Sequence, residues 1–129
     1  GVTLYDGVEA EDYVFFGPNA TTTNDRNPRS FGVWDRSLTV FRTGASIGAN
    51  TTIIAGNEIG ALSLVGAGSV VSRSVPAGQL VVGNPARFAG WLNVDGGVVS
   101  RHPEIPVSVI EMLKNPTESI RTMLENKES

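Results

Sequence analysis

Cysteine is absent from this chain of 129 residues, and His102 is its single histidine. The first absence excludes disulfides and thiolate zinc or redox centres, and the second excludes any site built from several histidines of one chain. Long hydrophobic runs are missing too. Nothing approaches the roughly 18 apolar residues of a membrane span, and no charged segment leads into an apolar stretch as in a secretory leader. Positive charge is scarce, with 10 Lys and Arg against 13 Asp and Glu, for a net charge of -3. No basic cluster makes a nucleic-acid footprint. Acids concentrate at the two ends of the chain. Residues 39–92 carry only Glu58 against Arg42, Arg73 and Arg87, so the middle tolerates a polyphosphate.

Glycine is in surplus: 15 of 129 residues is about 12%, against a usual level of about 7%. A three-residue collagen period is absent, and 40% hydrophobic residues argue against disorder. The period that does exist is six. Ile47, Ile53, Ile59, Val65 and Val71 follow one another at that spacing, and Ala45, Thr51, Asn57, Ser63 and Ser69 each stand two positions earlier. Gly48, Gly60 and Gly66 follow three of the aliphatics, and these glycines with Gly68 read as corner residues. Val2, Val8, Val14 and Ala20 show the same spacing at the start, and the phase breaks between Ala20 and Ile47. A helix would space its apolar residues by three and four, and each glycine would cost it about 1 kcal/mol. Hairpins would need more polar two-residue turns. A hexapeptide unit instead makes one short flat face, and three faces make a triangular coil of about 18 residues with the aliphatics inside.

The expected fold is therefore all-β, a parallel β-helix with an inserted loop at about residues 25–38 and a short C-terminal helical tail. Its left hand comes from what is known of hexapeptide repeats, against the usual right-handed crossover preference. Residues 1–92 form the β-helix and residues 93–129 a loop and helices. Three to four coils bury little surface alone, so association is expected; hexapeptide prisms commonly trimerise with one face each on the axis, which makes a homotrimer the expectation. Gly1-Val2 starts within the pattern without a polar cap, which suggests earlier coils. Val75-Pro76 and Asn84-Pro85 end the ladder, since proline donates no hydrogen bond. Val94–Pro103 reads as a loop, and Pro106–Lys114 as a helix with Val109, Ile110 and Leu113 on one face. Asn115-Pro116-Thr117-Glu118 is a helix start with Asn as cap and Pro first, followed by an Ile120, Met123, Leu124 stripe.

Thr22-Thr23-Asn24-Asp25-Arg26-Asn27-Pro28-Arg29-Ser30, Gly44-Ala45-Ser46-Ile47-Gly48-Ala49-Asn50 and Val81-Val82-Gly83-Asn84-Pro85-Ala86-Arg87 closely resemble the hexapeptide-repeat sugar-nucleotide N-acetyltransferases. The resemblance covers residues 1–92. The last segment is shared by many hexapeptide acyltransferases, whereas Thr-Asn-Asp followed by Pro-Arg-Ser is particular to the aminosugar branch. It implies an enzyme that moves acetyl from acetyl-CoA, without metal, to the 3-amino group of a UDP- or dTDP-linked sugar. It also implies a role in bacterial surface-polysaccharide biosynthesis, in the cytoplasm.

That implication suits the residues. Hydroxyl acceptors in this superfamily rely on a histidine base, and residues 1–92 contain no histidine. An amine is nucleophilic once it sheds a proton. Asn24 and Asp25 are the catalytic candidates, Asn24 to orient and Asp25 to accept an N–H; an Asn-Asp pair is also a common turn. Arg29 is the candidate for a phosphate or carboxylate of the substrate. The family pattern puts cofactor contacts at Ala45, Ser46, Gly66 and Ala67, and at Arg87 toward the phosphates. The alternative from another class is a non-catalytic trimeric β-helix scaffold or a truncated acyltransferase remnant. Two other β-helix functions fare worse. A carbonic-anhydrase-like site needs three histidines, and an ice-binding array needs threonines repeated along one face.

Overall fold

The computed structural model describes residues 7–23 and 38–128. The strands are β1 (Val8–Ala10), β2 (Phe15–Phe16), β3 (Thr21–Thr22), β4 (Thr39–Phe41), β5 (Ser46–Ile47), β6 (Thr52–Ile53), β7 (Glu58–Ile59), β8 (Leu64–Val65), β9 (Val70–Val71), β10 (Gln79–Gly83), β11 (Ala86–Leu92) and β12 (Val98–Ser100). Two helices follow, α1 (Val107–Lys114) and α2 (Pro116–Glu128). From β1 to β9, sequential strands do not pair. They alternate among three parallel sheets: a first face of β1, β4 and β7, a second begun by β2, β5 and β8, and a third of β3, β6 and β9. The chain thus winds as a triangular prism, a left-handed parallel β-helix.

Register sets the length of a coil. Ile47 stands beside Val65 and Ile53 beside Val71, 18 positions on. Between the first two coils the offset is 31, as in Phe16 beside Ile47 and Thr22 beside Ile53. The excess of 13 residues falls between Thr23 and Leu38, where the inserted loop was expected.

The interior is one column. Phe41, Ile47, Ile53, Ile59, Val65, Val71, Val75 and Val81 are all buried and in contact. Full burial of each such side chain stabilises by about 1.5–3 kcal/mol. Phe16 meets Phe41 edge to face at 4.8 Å between ring centroids. The small residues two positions earlier are buried as well. Their polar atoms are satisfied locally: Ser63 Oγ donates to Gly60 O at 2.7 Å, Asn57 Nδ2 to Ile54 O at 2.7 Å, and Thr39 Oγ1 accepts from Gly56 N at 3.1 Å. Among the described residues no buried side-chain polar atom lacks a partner.

This double occupancy corrects the phase of the first coil. Ala10, Phe16 and Thr22 pair with Phe41, Ile47 and Ile53 and hold the aliphatic position there. Val8, Val14 and Ala20 sit in the small-residue row instead, level with Thr39, Ala45 and Thr51.

The corners also differ from expectation. Left-handed φ values recur every six residues at Gly7, Tyr13 and Asn19, and again at Gly44, Asn50, Gly56, Leu62 and Gly68. Gly48, Gly60 and Gly66 are not among them. They lie where the next coil passes too closely for a side chain: a Cβ on Gly48 would stand 2.5 Å from Ala67 N, and one on Gly60 2.3 Å from Ala77 N.

The ladder ends by changing direction. β10 continues the second face parallel to β8, then pairs antiparallel with β11, and β11 with β12. Part of the expected loop Val94–Pro103 is therefore strand β12. Its partner Trp91 is remote from any local alternation and also sends Nε1–H to Pro103 O at 3.3 Å. The α2 start is as expected, with Glu118 N donating to the Asn115 side chain at 3.1 Å. α1 begins at Val107 and buries Val109, while Ile110 stays exposed. Both helices pack back on the coil: a Cβ on Gly44 would meet Leu62 and Ile120, and one on Gly78 would meet Val109 and Leu113.

Candidate functional site

The three faces carry different chemistry because only one side chain per short strand points outward. On the first face Arg42 bridges two carboxylates, its Nη1 3.2 Å from Glu11 Oε2 and its Nε bonded to Glu58 Oε1. Glu11 Oε1 also accepts from Thr43 N at 2.9 Å. That backbone N–H, and after it the Arg42 guanidinium, hold the Glu11 carboxyl below its ordinary pKa, and the two glutamates, Glu58 first, raise that of Arg42. This face is an ionic ladder joining three coils. The outward residues of the third face, Thr21, Thr52 and Val70, are uncharged.

The second face and its six-stranded extension gather most of the expected cofactor residues. Ser46 lies between Phe15 and Leu64 in the outward row, half-buried, its N–H bonded to Ser63 O at 2.9 Å. Gly66 follows β8 and gives its N–H to Val81 O at 2.9 Å; Ala67 is exposed at the corner beyond it. Arg87 stands in β11 opposite Val82, exposed, with Nη1 on Ala86 O at 3.0 Å. Ala45 is fully buried. Its N–H goes to Arg42 O and its carbonyl accepts from Phe15 N, so its side chain and both main-chain groups are committed to the prism.

Asn24, Asp25 and Arg29 lie outside the described residues. Their point of departure is described: the chain leaves the third face at Thr23, whose Oγ1 accepts from Ala55 N at 2.8 Å, and rejoins the first face at Leu38 and β4. His102 is exposed beyond β12, and its Nδ1 accepts from Glu104 N at 3.1 Å.

The structure adds one residue that the sequence reading did not single out. Arg73 lines a groove of about 320 Å³ at the end of the prism together with Arg87, Ser74, Gln79 and Val81. Neither arginine forms an ion pair among the described residues. Its signal was a basic residue two positions after Val71, the last aliphatic of the repeat, and two before Val75 of the Val75-Pro76 break. Among the described residues no group of three His, Cys, Asp or Glu could hold a metal ion, and no helix is long and apolar enough to cross a membrane.

A prism of hexapeptide coils is also the fold of solved hexapeptide-repeat acetyltransferases, to which the chain is similar. No family model matches the chain. It is 52% identical, over 65 residues, to dTDP-3-amino-3,6-dideoxy-alpha-D-galactopyranose 3-N-acetyltransferase of Aneurinibacillus thermoaerophilus, covering 50% of this chain and 31% of that protein. A galactoside acetyltransferase in complex with coenzyme A superposes with a TM-score of 0.62 at 27% identity, over 68% of this chain and 46% of that one. A serine acetyltransferase from Brucella abortus strain S19, also in complex with coenzyme A, gives 0.58 at 28% identity, over 77% and 35%. The chain thus spans about a third of the length of that sugar N-acetyltransferase and less than half of either structure. In repeat, fold and sequence the chain is similar to hexapeptide-repeat acetyltransferases.

Proposed function

We propose that this chain serves acetyl transfer from acetyl-CoA to the 3-amino group of a dTDP- or UDP-linked amino sugar. The observation that carries the reading is the 52% identity to a dTDP-sugar 3-N-acetyltransferase. The absence of histidine from residues 1–92 supports it, since an amine needs no strong base once neutral. In this reading the sugar amine attacks the thioester carbon, the C–S bond breaks as the tetrahedral intermediate collapses, and the amine proton ends on the departing thiolate or solvent. Asp25 accepts an N–H of the amine and Asn24 orients it; Arg29 pairs with the sugar nucleotide. Ser46, Gly66 and Ala67 flank the thiol-bearing arm of the cofactor, and Arg87 meets its phosphates. Three copies associate, and the reaction takes place in the cytoplasm, where both substrates are made.

Thiol release on mixing the protein with acetyl-CoA and a panel of dTDP- and UDP-3-amino sugars tests the reading. No release above background across the panel sinks it. Saturable heat on titration with coenzyme A separates it from the scaffold alternative. Asp25→Ala is expected to lower kcat about 100-fold or more while coenzyme A affinity stays put; an unchanged kcat returns Asp25 to a turn role.

A further inference from the structure

A groove of about 650 Å³ lies between α1, α2 and the end of β11, and no residue of the six-residue repeat lines it. Its floor is apolar. Leu92 and Val109 are buried there, and Met112 and Met123, the two methionines of the chain, are half-buried. Methionine adapts to irregular partners and is common at contact surfaces. Three charged residues line the groove. Glu111 pairs with Lys114 at 2.8 Å, whereas Glu118 and Lys127 form no ion pair among the described residues.

α2 contributes Glu118, Ser119, Thr122, Met123, Asn126 and Lys127. They form two adjoining rows spaced by four, which is one face of a helix. Counted from the midpoint between Thr122 and Met123, this face matches itself in reverse. Glu118 answers to Lys127, Ser119 to Asn126, and Thr122 to Met123. Glu118 and Lys127 stand about 13 Å apart along the helix, at about 1.5 Å per residue. A second α2 laid antiparallel over the midpoint brings Glu118 of each copy to Lys127 of the other. A parallel one would set glutamate on glutamate and lysine on lysine, and would align the helix dipoles unfavourably as well.

We infer that the occupant of this groove is α2 of a second copy of the chain, packed antiparallel about a two-fold axis at Thr122 and Met123. Such a contact is isologous, each residue meeting its counterpart in reverse. It withdraws the methionines from water at its centre, and the two ion pairs fix its direction. The interface draws on the tail alone, so it stands apart from whatever reaction the prism serves.

Sedimentation equilibrium of the whole chain at low salt, over a range of protein concentrations, tests it. The unaltered protein is expected to reach an even number of chains: six where three prisms associate through their faces, two where they do not. Glu118→Lys and Lys127→Glu, measured separately, each set like charges across the axis and are expected to halve that mass. Mixed in equal amounts, the two variants are expected to restore it, because every lysine of one then faces a glutamate of the other. A substitution that merely loosened α2 would gain nothing from the mixture. One or three chains at every concentration of the unaltered protein overturns the pairing. So does a mass that neither substitution moves, as a small molecule or another protein in the groove would give, or a mixture that stays at half.

Discussion

Gly48 and Gly68 sit 20 positions apart in the same repeat and are glycines for different reasons. Gly68 has φ +74 and open space around its missing Cβ, so alanine there costs only backbone strain, about 1 kcal/mol. Gly48 has an ordinary backbone, but a methyl group would lie 2.5 Å from Ala67 N and 2.7 Å from Val65 O. Those atoms belong to the adjoining rung and cannot yield without parting the ladder. Gly48→Ala is therefore expected to destabilise by about 1–3 kcal/mol, and more than Gly68→Ala, in paired urea titrations; equal losses would contradict the close approach of the coils. Composition showed the surplus of glycine but not this division. Which glycine faces a neighbouring rung depends on a partner 18 positions away. The polar candidates pose another difficulty. Asn24, Asp25 and Arg29 were picked out by resemblance, because polar residues between coils leave no periodic trace.

At the scale of elements, the ionic ladder and the tail each have a measurable signature. Glu11 titrates below its ordinary value of 4.5 in the folded chain. Such a group adds stability above its unfolded pKa, and the contribution fades as pH falls through the folded one. The upward shift of Arg42 acts only far into the alkaline range. Glu11→Gln should thus melt below the unaltered protein at pH 6, with the gap closing as pH falls below 4.5; a gap independent of pH would contradict the ladder's role. The pair is exposed, so salt should narrow the gap as well. In the tail, Asn115→Ala removes the cap of α2 and is expected to cost about 1 kcal/mol, with faster amide exchange in α2 than in the coil. This cap was legible from four consecutive residues because capping is local. β12 was not, because Val98–Ser100 becomes a strand only by lying against Trp91 and Leu92.

For the whole molecule, the proposed trimer needs a face that can meet a copy of itself. The third face is uncharged in its outward row and carries no added strands, whereas the second continues into β10–β12 and the first is crowded with Glu11, Arg42 and Glu58. Thr52→Arg is expected to reduce the mass in sedimentation equilibrium threefold; a mass unaffected by it would move the interface elsewhere. The prism itself was the most legible feature of the sequence. Ile47 to Val71 keep one spacing without a slip, and no other fold uses a period of six so economically. The first coil was misjudged by two positions because both the aliphatic row and the small-residue row face inward, and Val8, Val14 and Ala20 are aliphatics in the second row. The constant step of 18 residues between rungs has a practical corollary. Duplicating one whole rung should yield a longer rod with every ladder intact and the helical tail still against the same side. Adding a single hexapeptide should rotate everything downstream by a third of a turn, and the tail would then arrive at a side of the rod that has no Gly44 and Leu62 to receive it.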